Sequence, residues 1–390
     1  MKVVIVARNF DAGSRAAIKK LKQAGYEIEE CKDHEFGVGA GEEELYERIK
    51  DAEVVIAGLE PYTEHLLSRC PKLKLISRRG IGYDSVDTAA CRKFGITLAR
   101  TTGEVEAAVA EHVLAYVLYF ARSLHTQSAD MHEGLWNRCM HPGAKGRTIG
   151  LVGFGGIGKE IAKRANAMDM HVLYYCRHPK PEWEGLYGAS YRPLEELLAE
   201  SDYVSANIPL TKQTEKFFGE KEFAQMKEGS YFINIARSPV ADNDALKKYL
   251  LNGHLSGAAL DVFPHEPCTD SVFIDVPNVI LTPHTASYTM ENFVRMNEIA
   301  AQNVIAFAQG KKVGLISQIP VYPAAFTVND VLRAAFSSLD KIKARMRQLE
   351  KTMTEHTPKE VLSEYDALTS RFEAGAGETV AGGWKLKIEL

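Results

Sequence analysis

A strand, a glycine-rich turn and a helix follow one another at residues 148–168, and this order restricts the fold more than any other feature. The apolar run "TIGLVG" is typical of a buried strand, and "GKEIAKRANAM" has the spacing of a helix. Between them, Gly153, Gly155 and Gly158 form the pattern G-x-G-x-x-G. A strand that enters a helix through such a turn begins a β-α-β unit of a parallel sheet. The pattern therefore predicts an α/β domain.

The same residues also satisfy most of a second phosphate-binding pattern, G-x-x-x-x-G-K, from Gly153 to Lys159. That pattern marks a nucleoside-triphosphate loop when Ser or Thr follows the lysine and holds magnesium. Here Glu160 follows, and its charge would repel a triphosphate. The dinucleotide interpretation is favoured: Gly153 permits a tight turn, Gly155 lets the backbone approach a pyrophosphate, and Gly158 lets helix and strand pack closely. Lys159 is then expected to be a solvent-facing helical residue.

Short apolar segments alternate with helical patterns in two series. The first contains "KVVIVA", "EVVIAG" and "LKLISRR", and the second contains "TIGLVG", "HVLYYC", "YVSANI", "SYFINIA", "GAALDVF" and "VILTPH". A long helix over about 104–124 and a polar connector separate the two series. The predicted fold class is α/β, with two doubly wound parallel-sheet domains of Rossmann/flavodoxin-like type plus an α-helical C-terminal extension.

These series predict three domains. We expect the helix after residue 286 to pack back on the first series, which makes that domain discontinuous. The predicted domains are a substrate-binding domain from residues 1–101 and 286–312, a dinucleotide-binding domain from residues 102–285, and a helical extension from residues 313–390.

Composition excludes several classes of protein. The 390 residues carry a net charge of -4, which gives no reason to expect nucleic acid or an anionic membrane as partner. The longest apolar region, "AAVAEHVLAYVLYFAR", contains Glu111 and His112 and is shorter than the ~20 residues that span a membrane. The six cysteines include no C-x-x-C pair, and "MKVVIVARNF" suits a strand better than a signal peptide. A cytoplasmic protein is expected, and the loosely spaced histidines predict no metal site.

Cations follow the second strand of the dinucleotide unit. A carboxylate about 20 positions after the glycines normally binds the ribose 2′-hydroxyl of NAD. Cys176 stands at that point, followed by Arg177, His178 and Lys180. The pattern favours the 2′-phosphate of NADP over the hydroxyl of NAD, and Arg177 is the predicted contact because a guanidinium grips phosphate through two donors. The alternative is a solvated basic loop.

Three chemically active residues follow three later strands. Arg237 lies in "FINIARSPV", Glu266 in "ALDVFPHEP" and His284 in "LTPHTAS". Ligands of doubly wound sheets bind at the carboxyl ends of strands. Arginine clamps a carboxylate, histidine transfers a proton near neutral pH, and a carboxylate beside the histidine keeps that proton available. Each residue alone also fits a structural role, but together they suit hydride transfer to a 2-oxo acid.

Over residues 1–312 the sequence resembles the D-2-hydroxyacid dehydrogenases, which include phosphoglycerate dehydrogenases and glyoxylate/hydroxypyruvate reductases. The resemblance rests on "SRRGIGYDSVD", "EAAVAEHVLAYVLYFAR", "KGRTIGLVGFGGIGKEIA", "NIPLTKQT", "NIARSPVADNDALKKYLLNGHLSGAALDVFPHEP" and "LTPHTAS". It implies a cytoplasmic oxidoreductase that uses NAD(P) and interconverts a small 2-oxo acid and its D-2-hydroxy acid. It also implies a homodimer. A protein of this type that senses NAD(P) with little turnover, such as a dehydrogenase-like transcriptional corepressor, remains an alternative.

The resemblance also implies individual roles. His284 would be the acid/base, Glu266 its partner, and Arg237 the ligand of the substrate's carboxylate and keto oxygen. The remaining implied contacts are the backbone N–H groups of Gly80, Ile81 and Gly82 to the same carboxylate, Asp261 to the nicotinamide carboxamide, Gly155, Gly156 and Ile157 along the pyrophosphate, and Thr211 and Ala236 beside the cofactor.

Two further expectations concern single positions in the chain. The family has Gly after the arginine, whereas Ser238 and Pro239 follow here, which puts the shape of the pocket beside Arg237 in question. Asp84 and Asp87 are expected to cap the helix that follows them.

The last part of the chain departs from the dehydrogenase pattern. From "VGLISQIPVYPAAF" to "SRFEAGAG" it resembles the Q-loop and helical region of ABC ATPases of the tandem-cassette, translation-factor type, with Gln318 as the Q-loop glutamine. The other cassette motifs are missing, so ATP hydrolysis is not predicted. A recombined remnant and a helical extension that mediates association both remain open.

Overall fold

The computed structural model describes residues 1–31, 41–101, 105–311, 345–350, 365–366 and 368–369. Residues Met1–Leu315 form one compact unit and Ile316–Leu390 a second. The described residues of the second unit are helical. Gln318 and most of the segment that resembles an ABC ATPase lie outside the described residues, so that interpretation stays a prediction. No helix among the described residues combines the length and the apolar character that crossing a membrane requires.

The first sheet has five parallel strands in the order β2-β1-β3-β4-β5. Its middle strand, Val54–Ala57, is wholly apolar and fully buried, as expected of a parallel sheet covered on both faces. The strands are β1 (Lys2–Ile5), β2 (Glu27–Glu30), β3 (Val54–Ala57), β4 (Leu75–Arg78) and β5 (Thr97–Arg100).

Five helices belong to this sheet, and one of them comes from far along the chain. Ala300, Ala301 and Val304 of the helix Met290–Ala308 share a core cluster with Val3 and Ile5 of β1, so this late helix packs on the first sheet. The helices are α1 (Ala16–Gln23), α2 (Glu42–Ile49), α3 (Glu64–Ser68), α4 (Thr88–Lys93) and α12 (Met290–Ala308).

The second sheet has seven parallel strands in the order β12-β11-β10-β9-β6-β7-β8. The order reverses between β9 and β6, and this switch point is where such sheets bind dinucleotides. The strands are β6 (Thr148–Val152), β7 (His171–Tyr175), β8 (Ala189–Tyr191), β9 (Tyr203–Ala206), β10 (Tyr231–Asn234), β11 (Gly257–Leu260) and β12 (Val279–Leu281). The helices are α5 (Glu106–Arg122), α6 (Leu124–His132), α7 (Gly156–Ala167), α8 (Pro181–Tyr187), α9 (Leu194–Glu200), α10 (Glu220–Gln225) and α11 (Asn243–Leu251). The two predicted parallel-sheet α/β domains are confirmed.

Apolar patterning misses three strands and one helix. β2, β5 and β8 lie at sheet edges, where only part of each strand is buried and the apolar run is short. β2 reads "EIEE", which carries one apolar residue. α6 occupies the expected polar connector and has no buried residue, so its sequence lacks an apolar face.

Candidate active site

Three adjacent strand ends carry the three predicted catalytic residues. β10, β11 and β12 are neighbours in the second sheet and all run in the same direction. Arg237, Glu266 and His284 each follow one of these strands in the chain. The parallel geometry therefore brings residues of three separate segments to one edge, as the sequence pattern indicates.

His284 and Glu266 form a direct pair. The distance from His284 Nδ1 to Glu266 Oε2 is 2.7 Å, and the side chains are 27% and 17% exposed. The second oxygen, Glu266 Oε1, accepts a hydrogen bond of 3.1 Å from the Phe263 N–H. Both carboxylate oxygens thus have a donor, and the ring of His284 has one fixed orientation.

The charge of Glu266 decides which nitrogen of His284 carries the proton. Burial raises the pKa of Glu266, but the hydrogen bond and charge of His284, the Phe263 N–H and the charge of Arg237 together outweigh burial and lower that pKa. An ionised carboxylate only accepts hydrogen bonds, so Nδ1 of His284 must donate. Nε2 is then the nitrogen left to exchange a proton with a substrate.

Asp261 anchors the loop that carries His284. Its carboxylate is 1% exposed and accepts hydrogen bonds from the Thr282 hydroxyl at 2.6 Å, the Thr285 N–H at 2.8 Å and the Ala286 N–H at 2.8 Å. These bonds stabilise a backbone in which His284 takes a positive φ of 54°. The predicted contact of Asp261 with a nicotinamide remains a prediction, since the observed role of this carboxylate is to hold the loop.

A polar chain on α5 continues this network, and sequence reasoning did not single it out. The hydroxyl of Tyr116 makes a short hydrogen bond with Thr282 Oγ1 and lies 2.8 Å from His112 Nε2. Burial raises the pKa of Tyr116, so the phenol stays protonated. The spacing of His112 and Tyr116 by one helical turn was the available signal, but it is equally typical of packed residues.

Arg237 is held by Asp84, a contact that corrects the expectation for Asp84. Arg237 Nε donates to Asp84 Oδ2 at 3.0 Å and Nη2 donates to Asp84 Oδ1 at 2.8 Å. The prediction that Asp84 caps a helix is wrong, because its carboxylate binds the guanidinium instead. Asp87 does cap α4, and its Oδ1 accepts from the Ala89 and Ala90 N–H groups at 2.9 Å each.

The loop of Gly80, Ile81 and Gly82 faces this arginine. A Cβ on Gly82 would lie 2.0 Å from Arg237 Nη2, so the guanidinium lies directly against the loop. The Gly80 N–H already donates to Thr101 Oγ1 at 2.7 Å. Among the described residues, the N–H groups of Ile81 and Gly82 have no such partner and are therefore the ones available to a carboxylate.

Ser238 and Pro239 do not disturb the arginine. Residues Ser238–Val240 form a 3-10 turn that Arg237 precedes. Proline is tolerated in the first turn of a helix because its missing N–H would have no partner there. The Val240 N–H donates to the Arg237 carbonyl at 3.2 Å, which closes the turn.

The glycine turn has the geometry that a pyrophosphate requires. Gly153 has a positive φ of 106°, and a Cβ there would lie 2.6 Å from the Asn207 carbonyl oxygen. A Cβ on Gly158 would lie 2.6 Å from the Gly153 carbonyl oxygen, whereas one on Gly155 would meet open space. A Cβ on Gly156 would press on Glu106 of α5, so Gly156 serves helix packing. Ile157 is half-buried and packs against the apolar core that α5 and α7 share.

Three cations lie in or after the glycine turn, and the contact of Arg177 with a 2′-phosphate remains a prediction. Arg177 is exposed, whereas Lys180 is half-buried with Nζ 3.4 Å from the Phe154 carbonyl oxygen in the turn. Lys159 is not solvent-facing, because its ammonium lies over the ring of Trp183. Burial, and then the charge of Lys180, lowers the pKa of Lys159.

The remaining predicted residues lie on loops after β9 and β10. Thr211 sits in a tight turn, where its N–H donates to Thr214 Oγ1 at 2.7 Å, and Ala236 donates its N–H to Asn234 Oδ1 at 3.1 Å.

One group in the described residues has metal-ligating atoms within 4.8 Å of one another, namely His265, Cys268 and Asp270. The spacing of histidines gave no signal for it, and two of its three side chains are exposed.

Comparisons with known proteins show which proteins this chain is similar to. Residues 114–286 match the family described as D-isomer specific 2-hydroxyacid dehydrogenase, NAD binding domain. The chain is 38% identical over 305 residues to the glyoxylate reductase of Thermococcus litoralis, which covers 75% of this chain and 90% of the relative.

Two solved structures are similar over most of the chain. D-lactate dehydrogenase from Aquifex aeolicus, complexed with NAD and lactic acid, is 30% identical with a TM-score of 0.69 and covers 80% of this chain and 96% of its own. An acyclic imino acid reductase in complex with NADPH and D-Arg is 26% identical with a TM-score of 0.72 and covers 81% of this chain and 100% of its own.

Proposed function

The chain belongs to the D-isomer specific 2-hydroxyacid dehydrogenases, and from this membership we propose that it is a glyoxylate reductase. The family activity is NAD(P)-dependent hydride transfer between a 2-oxo acid and a 2-hydroxy acid. Glyoxylate is the substrate in the name of the Thermococcus litoralis relative, and it is the smallest 2-oxo acid. The observation that carries the proposal is the 2.7 Å pair of His284 and Glu266 beside the Arg237 guanidinium.

The residues act together on the substrate. Arg237 and the N–H groups of Ile81 and Gly82 bind the carboxylate and orient the carbonyl carbon. A nicotinamide cofactor, held with its pyrophosphate at the turn of Gly153, Gly155 and Gly158, would supply the hydride for reduction. His284 donates the proton from Nε2 to the carbonyl oxygen as the alcohol forms. Glu266 stays ionised, holds Nδ1–H and stabilises the positive charge of the imidazolium before transfer.

A substrate panel with a single variant tests this assignment. We expect the wild type to reduce glyoxylate and other short 2-oxo acids, followed at the nicotinamide absorbance. Replacing His284 by Ala removes the proton donor and should cost about 10²–10⁴-fold in kcat, while cofactor affinity stays within twofold. A variant within tenfold of wild type would reject the role of His284. Tight cofactor binding without turnover on any 2-oxo acid would instead favour an NAD(P)-sensing protein.

NADP is the proposed cofactor over NAD. Cys176 occupies the position after β7 where a carboxylate would recognise NAD. Arg177 follows it in the chain, and Lys180 adds positive charge beside the turn. Alanine at either cation should raise KM for NADPH more than KM for NADH. Lys248→Ala, which removes an exposed lysine from α11, is the control. Equal changes for both cofactors would argue against contact with a 2′-phosphate.

We propose a homodimer that forms through α6 and the segment after it. These residues expose large apolar side chains that a monomer would leave in water. Light scattering after size exclusion should give twice the mass of the chain, and Trp136→Asp should reduce it. A wild-type monomer would reject this proposal. The exposed side chains are Leu124, Met131, Leu135, Trp136 and Met140.

A cytoplasmic location is proposed as well. None of the six cysteines forms a disulfide in the described residues, as expected in a reducing compartment. Fractionation of the source cells with an antibody against the chain tests this, and recovery outside the cytoplasm would contradict it.

A further inference from the structure

Asp84 binds one edge of the Arg237 guanidinium and leaves another edge open. A guanidinium has five N–H hydrogens. Asp84 takes the hydrogen on Nε and one on Nη2, at 3.0 and 2.8 Å, and the Ala236 carbonyl takes one on Nη1 at 2.7 Å. One hydrogen remains on each terminal nitrogen. A carboxylate has two oxygens that can accept hydrogen bonds from such donors.

We propose that Asp84 is a positioning residue, which holds Arg237 from the side so that its terminal nitrogens face the substrate carboxylate. The inference rests on the proposed function, since it takes the carboxylate of a 2-oxo acid as the ligand of Arg237. Asp84 does not itself touch the substrate. Its effect on the reaction passes through Arg237.

The loop around Asp84 is built to support this contact. The Ile81 carbonyl accepts a hydrogen bond of 3.0 Å from Arg100 Nη1, and Gly80 is fixed by its bond to Thr101. The loop can approach the guanidinium because Gly82 has no side chain. The aspartate is therefore fixed in place on the first domain, while Arg237 comes from a strand end of the second.

Arg237 needs such a partner because its side chain is long and partly exposed. The side chain is 26% exposed. Without Asp84 the guanidinium would keep its hydrogen bond to the Ala236 carbonyl but lose two others, and the substrate would have to order more of the side chain on binding. The pair performs this ordering in advance.

A competing role for Asp84 would change KM in the opposite direction. If the substrate used the Nε edge of Arg237, Asp84 would compete with it, and removing the aspartate would lower KM. In the proposed role the ion pair and the substrate bind different edges, so removing the aspartate raises KM.

Asp84→Asn is the decisive variant. The amide has the size of the carboxylate but presents one acceptor and one donor, and its donor opposes an N–H of Arg237. We expect KM for glyoxylate and Ki for oxamate, an unreactive carboxylate analogue, to rise together by about 10–100-fold. Cofactor affinity should stay within twofold, and Asp84→Glu should recover part of the loss.

An Arg237→Lys background shows whether the effect passes through the arginine. Lysine cannot form the two-edged contact. In the Arg237→Lys background, Asp84→Asn should therefore raise KM for glyoxylate and Ki for oxamate by less than about threefold. Asp87→Asn is the matched control: it makes the same chemical change three residues later, at the cap of α4. It should lower Tm and leave Ki for oxamate unchanged.

The possible outcomes distinguish failure of the Asp84 inference from failure of the proposed function. Unchanged or lower KM and Ki in Asp84→Asn would overturn the inference, as would an equal loss in the Arg237→Lys background. A wild type that reduces no 2-oxo acid would overturn the proposed function itself. A wild type that reduces glyoxylate, with an Asp84→Asn variant of the same kinetics, would overturn only the role of Asp84.

Discussion

Replacing Gly82 by Ala tests how closely the loop of Gly80, Ile81 and Gly82 must approach Arg237. The added Cβ would lie 2.0 Å from Arg237 Nη2 and 3.2 Å from Asp84 Oδ1. Ordinary contacts of a Cβ begin at 3.4 Å, so Nη2 has to retreat by about 1.4 Å. A movement of this size breaks the 2.8 Å hydrogen bond from Nη2 to Asp84 and turns the guanidinium away from the substrate.

The expected loss follows from that bond. A hydrogen bond between charged groups contributes about 1.5–3 kcal/mol, which corresponds to about 10- to 150-fold in rate. A catalytic group misplaced by ~1 Å loses a similar factor. Stability should change little, because the atom in the way is the end of a flexible side chain. We expect kcat/KM for glyoxylate to fall by about 10²-fold and Tm to stay within about 3 °C of wild type.

Steady-state kinetics and thermal unfolding of one preparation check both halves of this prediction. Gly185→Ala is the control, because Gly185 is exposed in α8 and a Cβ there meets nothing within 4 Å. It should keep wild-type kinetics and unfold at the same or a slightly higher temperature. A Gly82→Ala enzyme within threefold of wild type would refute the close approach of loop and guanidinium. A large fall in Tm would show that the alanine acts on folding rather than on the contact between Arg237 and Asp84.

Two further predictions concern the hydrogen bonds of two carboxylates that are mostly buried, Asp261 and Asp202. Thr282→Val removes the hydroxyl that donates to buried Asp261, so the free energy of unfolding should fall by about 1–3 kcal/mol in a urea titration, and kcat should fall with it; unchanged values would contradict the anchoring role. Burial raises the pKa of Asp202, but Lys227, the Thr148 N–H and Arg147 outweigh it and lower the pKa. Asp202 therefore stabilises the fold above the pKa of the unfolded chain and ceases to do so in acid. Asp202→Asn should lose about 1–3 kcal/mol at pH 7 and less at pH 3, and an equal loss at both pH values would exclude this linkage.

The parts of the fold that the sequence predicts are those decided by local apolar patterning. β3 reads "VVIA" and is fully buried, and β6 leads into a glycine turn that has few structural solutions. The candidate catalytic residues follow from the same logic, because parallel strands put their carboxyl ends on one edge. β2 could not be predicted, because an edge strand such as "EIEE" gains its stability from pairing with β1 rather than from its own apolar run.

The positions of long charged side chains were less predictable. Lys159 and Lys180 look alike in sequence as solvated residues, yet both ammonium groups lie over the ring of Trp183, and that of Lys180 also reaches a carbonyl of the glycine turn. Such choices depend on Trp183, which comes from α8 and is placed only when the second domain is folded. A flexible stem lets a charge reach any of several partners, so its place in the chain does not identify the partner.

Asp84 and Asp87 show why the site depends on tertiary structure more than on motif. Both aspartates precede α4, and the local rule that predicts a helix cap applies to each of them. Asp87 obeys it because the α4 N–H groups lie within its reach. Asp84 does not, because the fold places Arg237, 153 positions later in the chain, against the same loop, and a guanidinium with two aligned donors is a stronger partner than a backbone N–H. The aspartate that breaks the local rule is therefore the one that joins the two domains through Arg237, and local rules that fail in this way are expected at functional sites.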